Sequence, residues 1–249
     1  MDINSGYQQQ NNNLPQSQPS QHYKDDEENQ GVSDITTMMR VGFIRKVYGI
    51  LTMQLLLTVV MSALTFIPAV SAFFQANLIL FYVCAGLTIA LAIPLICCRN
   101  IARQVPTNYI LLGLWTFCEA YMVATLCSFY APVVVISAAS MTFAVTFALT
   151  LYACTTKTDF TFMGGLLFVG VCLLFCLGIF TFVIGNFLNT LYCVLGVFVY
   201  SLYLIFDTQL VMGKFGNEFS IDDYIVAALM IYIDIIQIFI YLLQIFGRR

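Results

Sequence analysis

The stretch Tyr224-Ile225-Val226-Ala227-Ala228-Leu229-Met230-Ile231-Tyr232-Ile233-Asp234-Ile235-Ile236-Gln237-Ile238-Phe239-Ile240-Tyr241-Leu242-Leu243 runs apolar for the length of a membrane crossing, broken near its middle by Asp234. Just upstream, Tyr200-Ser201-Leu202-Tyr203-Leu204-Ile205-Phe206-Asp207 repeats the arrangement. An ionised carboxylate at mid-bilayer costs roughly 2.5–3.5 kcal/mol on insertion scales. Such a cost needs a reason, so both aspartates are functional candidates.

The rest of the chain agrees with a membrane setting. Its 249 residues are 60% hydrophobic and 9% charged, with a mean hydropathy of +0.87; soluble domains carry about 25% charged residues. Ten of the 23 charged residues precede the first long apolar run, and Arg248 and Arg249 close the chain. Residues 1–38, with Gln8-Gln9-Gln10-Asn11-Asn12-Asn13 and Pro15-Gln16-Ser17-Gln18-Pro19-Ser20, are too polar to offset ordering entropy. They are expected to form a disordered cytosolic tail, with residues 39–249 as the membrane domain. No cationic and short apolar leader opens the chain, so the first span is expected to direct insertion. The net charge of -3 belongs partly to the tail, and no nucleic-acid partner is expected.

Apolar runs of about 20 residues cross a ~30 Å hydrocarbon core. They fall at about 47–69, 76–97, 108–129, 132–154, 162–184, 188–211 and 224–246, too long for barrel strands of about 9–11 residues. This predicts an all-α integral membrane protein, a seven-transmembrane-helix bundle. Arg99 and Arg103 lie between spans two and three, Lys157 between four and five, and Lys214 between six and seven. The other connections lack lysine and arginine, which places the amino terminus in the cytosol. Arg248 and Arg249 would then lie on the far side unless the last segment re-enters; a full crossing is the reading preferred here. Ser220-Ile221-Asp222-Asp223 predicts a helix start capped by Ser220.

Asp223, Met230, Asp234, Gln237, Tyr241 and Gln244 share one helical face, as do Tyr200, Tyr203, Asp207 and Lys214. Polar stripes avoid lipid, so both should turn inward toward each other. Two carboxyls within hydrogen-bond reach cannot both ionise cheaply in low dielectric. They would hold one proton between them and titrate as a pair, a pH sensor, or else a neutral polar contact that fixes packing. Two aspartates offer too few oxygens for a tight calcium site and suit weak, transient calcium contact along a pathway. Glu119 is the remaining acidic residue within a span; it could bond Thr116 or face an ion path. Arg99 or Arg103 could pair with Asp207, although such arginines are commonly topology anchors.

The nine cysteines include no CxxC pair, and the single histidine, His22, lies in the tail. No disulfide framework, zinc site or bound cofactor is therefore expected, the cysteines being packing residues with Cys97-Cys98 a weak palmitoylation site. With His22 outside the membrane, serine–histidine hydrolysis has no base. The aspartate contexts also lack the Tyr-Asp and Gly-x-Gly-Asp settings of intramembrane aspartyl proteases, so no enzyme is expected.

Those contexts do resemble another family. Phe206-Asp207-Thr208-Gln209-Leu210, then Asp223-Tyr224-Ile225-Val226-Ala227-Ala228-Leu229 and Ile231-Tyr232-Ile233-Asp234-Ile235-Ile236-Gln237-Ile238-Phe239, look like the signature of the transmembrane Bax inhibitor motif family. Arg40-Val41-Gly42-Phe43-Ile44-Arg45-Lys46-Val47-Tyr48-Gly49-Ile50-Leu51-Thr52-Met53-Gln54-Leu55-Leu56 is similar to its Lifeguard branch. The resemblance implies a bundle with the last helix central, residence in endoplasmic reticulum or Golgi, a pH-sensitive calcium leak and suppression of cell death. It assigns the pH sensor and ion pathway to Asp207 and Asp234, and the basic latch residue of bacterial relatives finds only Arg99 as its nearest counterpart; Glu119, Tyr203 and Gln237 are candidate supporting polar residues from their own places in the spans. The lipid bilayer, calcium ions and cell-death or calcium-release proteins are the implied partners. The alternative is a non-conducting membrane regulator that binds channel or cell-death proteins.

Overall fold

The computed structural model describes residues 20–184, 186–216 and 219–248, with side chains described over 35–98, 100–181, 189–216 and 219–248. Among them every regular element is helical: α1 Ser20–Leu64, α2 Pro68–Ala76, α3 Leu78–Cys97, α4 Arg99–Arg103, α5 Thr107–Cys127, α6 Pro132–Thr155, α7 Gly164–Ile184, α8 Asn186–Met212 and α9 Tyr224–Phe246, with a single 3-10 turn at Thr161–Met163. Seven of these helices are long and apolar enough to span a bilayer. The chain divides between Met39 and Arg40, and the architecture described here is that of the part from Arg40 onward.

Pro68 sets one departure from the expected spans. It disfavours helix at the residue before it, and Ile67 is extended at φ -83°, ψ 120°. The first spanning helix therefore stops at Leu64 rather than continuing to 69, and Pro68 opens α2 at a position where its missing N–H costs nothing. At the other end α1 reaches back to Ser20, inside the tail expected to be disordered. Once the apolar part of α1 is helical, each added residue gains a backbone bond without a new nucleus, and Lys24, Glu27 and Glu28 are good helix formers. Residues 1–19 of that tail lie outside the described residues.

α9 lies at the centre. In the bilayer-spanning windows, 61% of α9 and 56% of α5 is buried, against 11–28% for the other five. α9 packs against α8, α6 and α5, and Ile225, Ala227, Ala228, Leu229, Tyr232 and Ile238 are wholly enclosed. It is unbroken over 23 residues, about 35 Å at 1.5 Å per residue, longer than the hydrocarbon core and without a re-entrant bend. Between lipid-solvated helices there is little hydrophobic drive, so close packing and hydrogen bonds hold this arrangement. The bilayer-facing hydroxyls of α6 are satisfied locally: Ser137 donates to Val133 O at 2.7 Å and Ser140 to Ile136 O at 2.8 Å.

α8 ends where Gly213 adopts φ 68° and its N–H returns to Gln209 O at 3.0 Å, a left-handed stop suited to glycine. The following loop delivers Asp223, not Ser220, as the residue before α9. Ser220 instead closes the preceding turn, its carbonyl accepting from Asp223 N at 2.9 Å.

Candidate functional site

α8 and α9 bring Asp207 and Asp234 together. Both are enclosed, at 4% and 3% exposure, and their carboxyls lie within hydrogen-bonding reach of each other. A carboxylate only accepts, so a hydrogen bond between them requires a proton on one of the two. Asp234 Oδ2 has no partner among the described residues. Asp234 lies about 15 Å along α9 from Tyr224, near the middle of the span.

An aromatic ladder continues from the pair along the same interface. Tyr203 and Tyr200 lie within electrostatic reach of the aspartates, with ring centres 5.9 Å apart. Tyr200 packs on Tyr241 at 6.0 Å, whose hydroxyl meets that of Tyr192 at 3.2 Å. Gln237, one turn past Asp234, is half-buried. The two stripes thus face each other from Asp207 and Asp234 to Tyr200 and Tyr241, while Asp223 and Lys214 at their ends turn to other partners.

The basic residues at this end go elsewhere. Arg103 makes a two-pronged contact with Asp223, Nε to Oδ1 at 2.8 Å and Nη2 to Oδ2 at 3.0 Å, rather than with Asp207. The carboxylate holds the Arg103 guanidinium above its ordinary range, the hydrogen bond being the main cause. α4 is thereby tied to the start of α9. Lys214 Nζ donates to Cys154 O, Arg40 Nη1 to Phe219 O at 2.9 Å, and Lys46 sits over the Tyr224 ring at 5.1 Å. The Arg99 side chain lies outside the described residues.

Glu119 does not join this site, and the expected bond to Thr116 is not formed. The Thr116 hydroxyl donates to Leu112 O at 2.7 Å and accepts from Gln54 Nε2 at 3.0 Å. Gln209, wholly buried, escaped the sequence reading: its Oε1 accepts from Phe160 N at 2.8 Å and its Nε2 donates to Thr158 O at 2.9 Å. It pins the loop before α7 two residues after Asp207. The polar run Asp207-Thr208-Gln209 inside an apolar span was its signal.

The fold and the enclosed carboxyl pair define a multi-pass helical membrane protein with its polar centre on the last two helices. The family described as "Inhibitor of apoptosis-promoting Bax1" matches residues 40–249, and the chain belongs to it. It is 41% identical over 217 residues to protein lifeguard 3 of Homo sapiens, covering 85% of this chain and 70% of that protein. The mouse protein of the same name is 36% identical over 217 residues, with the same coverage. LIFEGUARD 4 of Arabidopsis thaliana is 35% identical over 217 residues, covering 84% of this chain and 85% of that protein. This membership is consistent with a role in apoptosis regulation.

Proposed function

We propose that the chain is a pH-sensitive calcium leak of an intracellular membrane, gated by the proton held between Asp207 and Asp234, and that it acts in calcium homeostasis and as a negative regulator of apoptosis. The observation that carries the reading is the enclosed carboxyl pair joining α8 to the central helix, with Asp234 Oδ2 unpartnered. Loss of the shared proton leaves two negative charges in contact. At 4 Å and an effective dielectric of 20, their repulsion is about 4 kcal/mol, a large part of the roughly 5.5 kcal/mol that carries a two-state equilibrium fully across. A packed two-helix interface can convert that repulsion into a separation. The separated carboxylates are hard oxygen ligands too few to trap calcium, as conduction requires. Endoplasmic reticulum or Golgi residence and a cytosolic amino terminus complete the reading; Arg99, Arg103, Lys157 and Lys214 support that orientation.

Purified protein in calcium-loaded liposomes tests the proposal. Efflux should depend on pH, and Asp207→Asn and Asp234→Asn should each abolish that dependence. No efflux, or pH-dependent efflux unchanged in both variants, would defeat it and leave a non-conducting regulator.

A further inference from the structure

Glu119 has no part in the aspartate pair, and the face of α9 nearest to it is a different one. Tyr232 precedes Asp234 by two positions, about 200° around the helix, and so turns toward α1 and α5. There its hydroxyl meets Thr58 Oγ1 at 2.7 Å, Thr58 donates to Gln54 O at 3.0 Å, and Gln54 Nε2 reaches Thr116 Oγ1 at 3.0 Å. Glu119 follows Thr116 by one turn on α5 and lies within electrostatic reach of Tyr232.

The hydrogen-bond balance of this cluster is lopsided. Thr58 and Thr116 spend their hydroxyl protons on Gln54 O and Leu112 O, which leaves the Tyr232 proton for Thr58. Gln54 is only 4% exposed, yet its Oε1 has no partner among the described residues. The Glu119 carboxylate, one turn along α5 from Thr116 and within electrostatic reach of Tyr232, stands beside the cluster with further acceptors. Oxygen lone pairs are in surplus and hydroxyl protons are used up, a deficit that a hard cation fills. Space adjoins the cluster on both sides of α1. A groove of 600 Å³ between α1 and α5 is lined by Gln54 and Thr116, and a cavity of 440 Å³ among α1, α6 and α9 is lined by Thr58. Both are far larger than the ~30 Å³ share of one water.

We propose that Glu119, Gln54 Oε1 and the hydroxyls of Thr116 and Thr58 form a binding site for a hard alkali or alkaline-earth cation, separate from the Asp207–Asp234 pair. The single carboxylate makes it a weak site, since charge count sets affinity for hard cations.

The only tryptophan of the chain is a built-in reporter. Trp115 precedes Thr116 and packs edge-on against Tyr232 at 5.7 Å. Terbium titrated into full-length protein in vesicles should give saturable emission sensitised by Trp115, with displacement by calcium or by sodium identifying the preferred charge. Glu119→Gln should abolish the signal, and Gln54→Leu should weaken binding about tenfold, as loss of a supporting ligand does. Asp207→Asn should keep the saturable emission, with no more than a shifted midpoint. Absence of saturable emission, emission unchanged in Gln54→Leu, or loss in Asp207→Asn would overturn the proposal. Gln54→Leu alone decides the matter if Glu119→Gln does not fold. Binding retained without efflux would retire the calcium-leak reading and not this one.

Discussion

Replacing Gly196 by alanine puts one methyl group into a close contact between α8 and α9. A Cβ at that position would meet the Tyr241 ring at 2.5, 2.6 and 2.7 Å, against an optimum of about 3.5–4.0 Å between carbons. The ring has nowhere to go: Tyr241 is 5% exposed and is wedged between Tyr192 at 5.3 Å and Tyr200 at 6.0 Å. Relief therefore requires the helices to part by about 1 Å, and overpacking of this kind costs about 1–3 kcal/mol. For a chain of this size the midpoint of thermal unfolding should fall by about 2–12 °C, read by size-exclusion recovery after heating in detergent. Gly86→Ala is the control, since no atom lies within 4 Å of its added Cβ; it should melt with the parent. Gly196→Ala combined with Tyr241→Leu should regain stability, because the second change removes the ring that the first one strikes. A Gly196→Ala protein as stable as the parent, or no recovery in the pair, would refute the close-packed α8–α9 interface. In liposomes Gly196→Ala should also alter the pH dependence of efflux, since the aspartates bridge the same two helices.

Gln209→Leu leaves Phe160 N–H and Thr158 C=O without their side-chain partner, at a cost of about 1–3 kcal/mol; amide hydrogen exchange should rise around residues 157–163 while α9 stays protected. Arg103→Asp and Asp223→Arg should each lower stability, and together restore it, because the two-pronged pair is reformed with its ends exchanged. That recovery should shrink at high ionic strength, as Arg103 is partly exposed; an equal recovery at all salt concentrations would show that the contact is not ionic.

The seven spans were legible because a membrane crossing is set by run length, which the solvent imposes on every segment alike. Six of them lie within about three residues of the helices observed. The first did not, although Pro68 stood in the sequence as a stop for the residue before it. The aspartate stripes were legible through helical spacing, because polar side chains on apolar helices must turn inward. Distances between helices are not encoded in spacing, and the assignments that needed them fared differently. Arg103 has two carboxylates within conceivable reach, and only the short α4, bent back over the start of α9, selects Asp223. Glu119 and Thr116 are neighbours on α5, but the Thr116 hydroxyl spends its proton on Leu112 O within the helix and accepts from Gln54, a residue far away in the chain. Gln209 reads as an ordinary polar residue until the loop it clamps is seen.

α9 has two buried polar faces, and the two are not equivalent. The Asp234 face meets α8, where tyrosines and a close glycine contact bring the helices together. The Tyr232 face meets α1 through the Tyr232–Thr58 hydrogen bond, with a cavity of 440 Å³ and a groove of 600 Å³ alongside. Separation at the first face must break dense packing, so it needs a charge change as its driving force. Rearrangement at the second needs only the exchange of a few hydrogen bonds for a bound cation. Because one rigid helix carries both faces, displacement of α9 at either is felt at the other. Occupancy of the Glu119 cluster and the protonation of the aspartate pair are therefore expected to be coupled, and by linkage the coupling must be reciprocal. Terbium binding measured across pH in the parent and in Asp207→Asn tests this: the midpoint should move with pH in the parent by more than in the variant. Parallel pH profiles in the two would show that α9 does not transmit between its faces.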